Sequence, residues 1–160
     1  MTRFRPLLIA LTLVVALPYA AHADATLFLG ANVTPQSRLA KGFAVELGVL
    51  VVGFEFEYAN TDGDVSAKAP SLKTGMGNIL LQTPFPIFGF QPYATTGVGW
   101  YSEELGTHDD AGFGSNVGGG VKITLLGPLR LRIDYRVFKL GGGALSSPAH
   151  RIYTGLNLAF

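Results

Sequence analysis

Between Leu129 and Phe138 the chain reads Leu-Arg-Leu-Arg-Ile-Asp-Tyr-Arg-Val-Phe. In an extended strand, Arg130, Arg132, Asp134 and Arg136 share one face, and Leu129, Leu131, Ile133, Tyr135 and Val137 share the other. A guanidinium stays charged and forks onto carboxylates, so the chemistry this face calls for is ion pairing. Its partners stand at the same period-two spacing elsewhere: Glu46, Glu55 and Glu57 on two earlier segments, with Lys122 and Arg151 adding cations on later ones.

Other reactive groupings are weaker. His150 near Ser146 and Ser147 has the types of a base and a nucleophile, but no carboxylate nearby in sequence would orient the imidazole, and the stretch is read as a Gly/Ser loop. Glu103, Glu104, His108, Asp109 and Asp110 offer oxygen ligands for a divalent cation, yet fit a solvated acidic loop. Asp62-Gly63-Asp64 starts like a calcium loop without continuing its spacing. Gly118-Gly119-Gly120 precedes a strand and not a helix, which argues against phosphate cradling. No cofactor and no metal is expected.

The 160 residues carry a net charge of +1 with no basic block, which makes nucleic acid an unfavoured partner. There is no cysteine, so an exported chain could not rely on disulfides. Export itself is expected. Arg3 and Arg5 precede the apolar run Leu7–Leu17, and Ala21-His22-Ala23 gives an A-x-A cleavage pattern. Residues 1–23 are read as a cleaved signal and residues 24–160 as one domain. Charged residues make up 14% and mean hydropathy is +0.33, high for a secreted soluble domain. No later run reaches the roughly 20 apolar residues that a spanning helix needs, so any membrane crossing would be by strands.

Eight segments with period-two character follow. They run near 25–33, 42–49, 52–60, 72–83, 91–102, 113–125, 129–138 and 151–160. Turn chemistry separates them, such as Thr34-Pro35-Gln36-Ser37, Pro84-Phe85-Pro86 and Gly127-Pro128. The stretch Glu103–Asp110 reads as an acidic loop, and Leu50-Val51 is a turn lacking any turn-forming residue. Longer polar connections after the odd segments and short ones after the even segments predict an all-β, eight-stranded antiparallel up-and-down barrel with both termini at the short-turn rim.

Alternation alone does not say which face is inside. The non-apolar face is crowded with Gly30, Ala44, Gly48, Gly53, Gly97, Gly99, Gly114, Gly118, Gly120 and Gly155. Such a face makes poor solvent-facing strand surface but suits the narrow lumen of an eight-stranded barrel crossed by long charged side chains. The apolar face then meets lipid, with Phe54, Phe56, Tyr58, Trp100 and Tyr135 as interfacial aromatics. Ten residues tilted by about 45° give roughly 23 Å of height, near the apolar band of about 25 Å. Glu46, Glu55, Glu57, Lys122, Arg130, Arg132, Asp134, Arg136 and Arg151 are expected to pair across the lumen and plug it; a charged conduction path is the alternative.

With those residues in place, "QPYATTGVGWY" (91–101), "LRLRIDYRVF" (129–138) and the terminal "YTGLNLAF" (153–160) make the chain resemble the eight-stranded outer-membrane barrels of the OmpA/OmpX and opacity-antigen type. The resemblance implies a place in the outer membrane of a Gram-negative bacterium, among its lipid and lipopolysaccharide, as a monomer. It also implies that Ile152, Leu156, Leu158 and Phe160 form the signal read by the barrel-assembly machinery. Lipid A deacylases of this size carry a His-x-Ser near the outer end of the penultimate strand, where this chain has Asp134-Tyr135-Arg136. A structural or surface-interaction role, and no enzymatic one, is therefore expected.

Overall fold

The computed structural model describes residues 21–160. Eight strands, β1 (Ala21–Asn32), β2 (Arg38–Val49), β3 (Val52–Thr61), β4 (Ser71–Gln82), β5 (Phe90–Leu105), β6 (His108–Leu126), β7 (Leu129–Lys139) and β8 (Ala149–Ala159), pair antiparallel in sequence order. β1 closes against β8, so the sheet has no open edge. Closure lets every strand satisfy its backbone polar groups within the wall, which is what hydrocarbon demands. Residues 1–20 of the expected signal lie outside the described residues, while Ala21–Ala23 pair with Leu47–Val49.

Burial alternates with the pleat. On β7, Arg132, Asp134 and Arg136 are buried while Ile133 and Tyr135 face out; on β8, Arg151, Tyr153 and Asn157 are buried while Ile152, Leu156 and Leu158 face out. The outer wall is apolar around the barrel, with Leu27, Leu47, Phe54, Ile79 and Val98 among its exposed side chains. The oily face is therefore outside and the charged face inside, and a one-residue slip in any strand would exchange them.

Two expectations about the connections need correction. The acidic stretch Glu103–Asp110 is not a loop. β5 runs on to Leu105, β6 starts at His108, and the hairpin turns on Gly106-Thr107 with Gly106 at φ +61°. Glu103 pairs with Asp110 and Glu104 with Asp109 across it, because the backbone ladder continues wherever two strands face each other, whatever their side chains. Nor are all connections at the terminal rim short. Residues 83–89 form a seven-residue turn there with an Ile87–Phe90 bridge, longer than the five residues 33–37 at the other rim. The Leu50-Val51 turn closes with Leu50 at φ +55°, a conformation that usually falls to glycine.

The glycines of the inner face make room for particular neighbours. A Cβ at Gly120 would overlap the Ile133 carbonyl oxygen and the Tyr93 phenol, whereas one at Gly142, in the connection 140–148, would meet nothing. Gly120→Val should therefore abolish most of the compact, fast-migrating species expected of a folded barrel on unheated detergent gels, and Gly142→Val should leave it intact.

Candidate functional site: the polar lumen

The nine ionisable residues expected to face the lumen come from β2, β3, β6, β7 and β8 and all point inward. They fall into two groups. Near the terminal rim, Lys122 Nζ reaches Asp24 Oδ2 at 2.5 Å, Glu46 Oε2 at 2.8 Å and the Gln82 side-chain oxygen at 3.2 Å. Gln82 Nε2 donates to Glu46 Oε1 at 2.8 Å, and Arg130 Nη1 donates to Gln91 Oε1 at 3.0 Å while lying 3.8 Å from Asp24. Two cations thus face two carboxylates.

The second group fills mid-lumen. β3 and β7 stand four strands apart in an eight-strand ring, so their side chains meet across the bore. Arg132 Nη1 donates to Glu55 Oε2 at 2.5 Å and Arg136 Nη2 to Glu55 Oε1 at 2.8 Å, so one carboxylate serves both guanidiniums. Asp134, between them on the strand, accepts from Arg136 Nε at 2.9 Å and Arg132 Nη2 at 3.2 Å. Glu57 takes Arg151 Nη2 at 2.6 Å and the Tyr153 hydroxyl at 3.1 Å, with Arg136 Nη1 at 3.2 Å. Three guanidiniums oppose three carboxylates, and Arg132, Arg136 and Glu57 have no exposed surface. Rings complete the packing: Arg132 lies 4.8 Å over Tyr93, whose hydroxyl donates to Asp134, and Arg151 lies 4.2 Å over Phe138.

Several members of this network were not expected from sequence. Asp24 stands at the reading's cleavage point, and Tyr93, Tyr153, Asn78 and Gln82 carry no charge to mark them. On β4 the inward face is mixed, with Leu72, Met76 and Leu80 buried beside Asn78 and Gln82, so its alternation is weak. Above the charges an apolar layer crosses the bore, made of Leu72, Met76, Tyr101, Phe138, Leu140 and Ala149.

The other sequence candidates are dispersed. Ser147 Oγ accepts the Leu140 amide at 3.1 Å, while His150 sits on the outer wall with Nδ1 2.7 Å from the Tyr135 hydroxyl. They form no nucleophile–base pair. Asp64 accepts from Ser66 and the Ala67 amide and shapes its own turn. In the acidic hairpin, Glu104 faces outward 3.4 Å from Lys73, Asp110 accepts from Tyr101 at 2.6 Å, and Glu103 is buried, accepting the Leu145 amide at 2.6 Å. Among the described residues, metal-ligand spacing occurs at His22, Asp24 and Glu46, where the Lys122 ammonium already bridges both carboxylates. The expected aromatics also separate. Tyr58 and Trp100, 6.1 Å apart, sit near the outer polar boundary, with Trp100 lying over the space left by Gly75. Phe54 and Phe56 lie within the body of the wall, opposite Leu47 and Val45.

A closed wall, apolar on the outside, around a side-chain-filled bore defines a class of protein, the small eight-stranded barrel of the outer-membrane type. Similar solved structures are outer-membrane barrels. The N-terminal barrel domain of OprF from Pseudomonas aeruginosa superposes with TM-score 0.66 at 12% identity, over 87% of this chain and 97% of that one. Neisserial surface protein A gives 0.59 at 14% identity, over 87% and 94%. Ail of Yersinia pestis, solved with the heparin analogue sucrose octasulfate, gives 0.51 at 7% identity, over 88% and 96%. No family model and no curated protein matches the sequence. The chain has the eight-stranded barrel fold of these outer-membrane proteins.

The network has a direct energetic consequence. Removing one partner of a buried ion pair typically costs on the order of 3–5 kcal/mol because the other charge is stranded. Glu55→Gln, which takes from Arg132 and Arg136 the carboxylate they share and leaves the buried cluster one positive charge in excess, should lower unfolding stability in urea by about that amount. Adding Arg136→Met, which restores neutrality, should recover a large part of it.

A second test lies beyond the level of Lys73, toward the rim opposite the termini. Burial pushes the Glu103 carboxyl up from its ordinary value, against the Leu145 amide that stabilises its charged form. The folded state then holds this proton more tightly than the unfolded state, so stability falls as pH rises from the unfolded value through the folded one. Glu103→Gln should flatten that part of a urea-midpoint pH series.

Proposed function

We propose that the protein is a small integral protein of a Gram-negative outer membrane, exported by its N-terminal signal, with a structural or surface-interaction role. The barrel works passively. Its apolar wall sits among outer-membrane lipid and lipopolysaccharide, its lumen is closed, and its outer connections are presented at the cell surface. Ile152, Leu156 and Leu158 lie on one face of the last strand and Phe160 directly follows it, an arrangement that suits recognition by the barrel-assembly machinery, and the finished barrel acts as a monomer.

The observation that carries this reading is the filling of the bore. Arg132, Arg136, Lys122 and Glu57 have no exposed surface, and a conducting path would need water beside such charges. The apolar layer around Met76 and Phe138 adds a dry barrier above them. Deacylation is not part of the proposal, since Asp134 and Arg136, which stand where a His-x-Ser would, are engaged in ion pairs inside the bore.

In planar bilayers the reconstituted protein should give no steady large conductance, and a steady open channel would overturn the closed lumen. Expression in a Gram-negative host should leave the mass spectrum of lipid A unchanged; loss of an acyl chain would move the protein among the enzymes.

A further inference from the structure

The two rims of the barrel differ in a way the closed lumen does not explain. Turns ordinarily draw on Gly, Asn, Asp and Ser. At the terminal rim, however, residues 49–52, 83–89 and 125–128 read Val-Leu-Val-Val, Thr-Pro-Phe-Pro-Ile-Phe-Gly and Leu-Leu-Gly-Pro, without one charged side chain. The other rim carries Asp62, Asp64, Lys68, Glu104 and Asp109. The terminal rim does not hide its apolar groups: Phe88 is 96% exposed, Leu126 80% and Phe85 67%, with Leu50, Val51 and Ile87 also exposed. Phe88 holds φ +51°, a region that costs a bulky residue energy. The strain is spent on pointing a ring away from the protein.

The height of the wall says what meets that ring. On the outward face, Lys41, Lys73 and Lys139 are the last charged residues of β2, β4 and β7 toward the outer rim and mark one polar boundary. With each tilted strand residue adding about 2.3 Å of height, the eight residues from Lys41 to Val49 and from Lys73 to Leu81 span only about 18 Å. The ten from Lys139 to Leu129 span about 23 Å, close to the apolar band of about 25 Å. On the β2–β4 side the strands therefore end about 7 Å short of the band. The connections that leave them there are Leu50-Val51 and 83–89.

We propose that the terminal rim is a lipid-contacting surface in its own right: the turns 50–51, 83–89 and 125–128 lie within the leaflet on that side, and Phe85, Ile87 and Phe88 complete the apolar band where β2–β4 run out. The occupant is the glycerol-proximal part of phospholipid acyl chains. A water-soluble partner would meet no charge on these turns with which to pair. The inference rests on the membrane reading above and adds to it a depth: the barrel sits low, anchored by its turns on one side and by lysines and interfacial aromatics on the other.

Trp100 is the chain's single tryptophan, so Trp100→Phe provides a background in which Phe88→Trp, Leu126→Trp or Val98→Trp reports from one place. Each variant is reconstituted in phosphatidylcholine vesicles with bromines near the glycerol end of the acyl chains for the rim reporters and near the methyl end for Val98→Trp, and its folding is checked by heat-modifiable gel migration. The expected result is blue-shifted emission for Phe88→Trp and Leu126→Trp, quenched by bromine and shielded from acrylamide. If Val98→Trp is bromine-quenched while both rim reporters are not, the rim lies in water or against a second copy, and the inference fails with the membrane reading intact. If Val98→Trp also escapes bromine, the membrane reading itself fails.

Discussion

A guanidinium cannot shed its proton to escape a poor environment, so arginines on an inward strand face oblige the rest of the fold to supply carboxylates. Arg132 and Arg136 sit on β7, and their common partner Glu55 on β3, half the ring away. The pair can form only if the sheet closes with eight strands and with β3 and β7 in a register that brings the two levels together. Closure, strand number and facing are thus tied to one charge balance. The same balance fixes the outside, because a strand that turns its arginines in must turn Leu131, Ile133 and Val137 out.

Filling a narrow bore with long side chains requires the wall behind them to be thin. Gly118 lies behind Arg136, and Gly120 lies where Tyr93 crosses to reach Asp134. Phe28 and Tyr153 stack at 4.0 Å over space left by Gly30, Gly42 and Gly155. Each large group is matched by a missing one on the neighbouring strand, so the lumen packs like a core even though much of its content is charged. On the outer wall the same device places Trp100 over Gly75.

How much of this was legible in the sequence depended on whether a strand's two faces differ in chemistry. β3 and β7 alternate oil against charge, so their facing and the charges they bring to the bore could be read residue by residue, but not which carboxylate meets which guanidinium. β4 sets Leu72, Met76 and Leu80 inward against Ile79 and Leu81 outward; the two faces look alike, and the contributions of Asn78 and Gln82 were lost with the period. Tyr93 and Tyr153 escaped notice because an aromatic on an inward face gives no sign of which ion it will hydrogen-bond. The hairpin of β5 and β6 failed for the opposite reason. Its acidic residues look like a solvated loop, but a ladder of backbone hydrogen bonds extends as far as two strands face each other and is indifferent to charge.

The apolar layer at the outer mouth bears on how the ion pairs survive. Attraction between charges depends on keeping water away, and Met76, Tyr101, Phe138 and Leu140 lie between the arginines and the rim opposite the termini. Leu140, Ala144 and Leu145 all belong to the connection 140–148, and Glu103 of β5 ties that connection down through the Leu145 amide. This connection is therefore part of the closure of the lumen and is constrained by it. The connection 62–70 is held by the Asp64–Ala69 bridge, by the Ser66 and Ala67 bonds to Asp64, and by Asp62 against Leu39 and Lys41 of β2, none of which touches the bore charges. Sequence change there leaves the charge network untouched, whereas change in 140–148 alters the shielding of charges buried below it. The two longest outer connections thus have different freedom to vary, and the difference follows from which of them the bore needs.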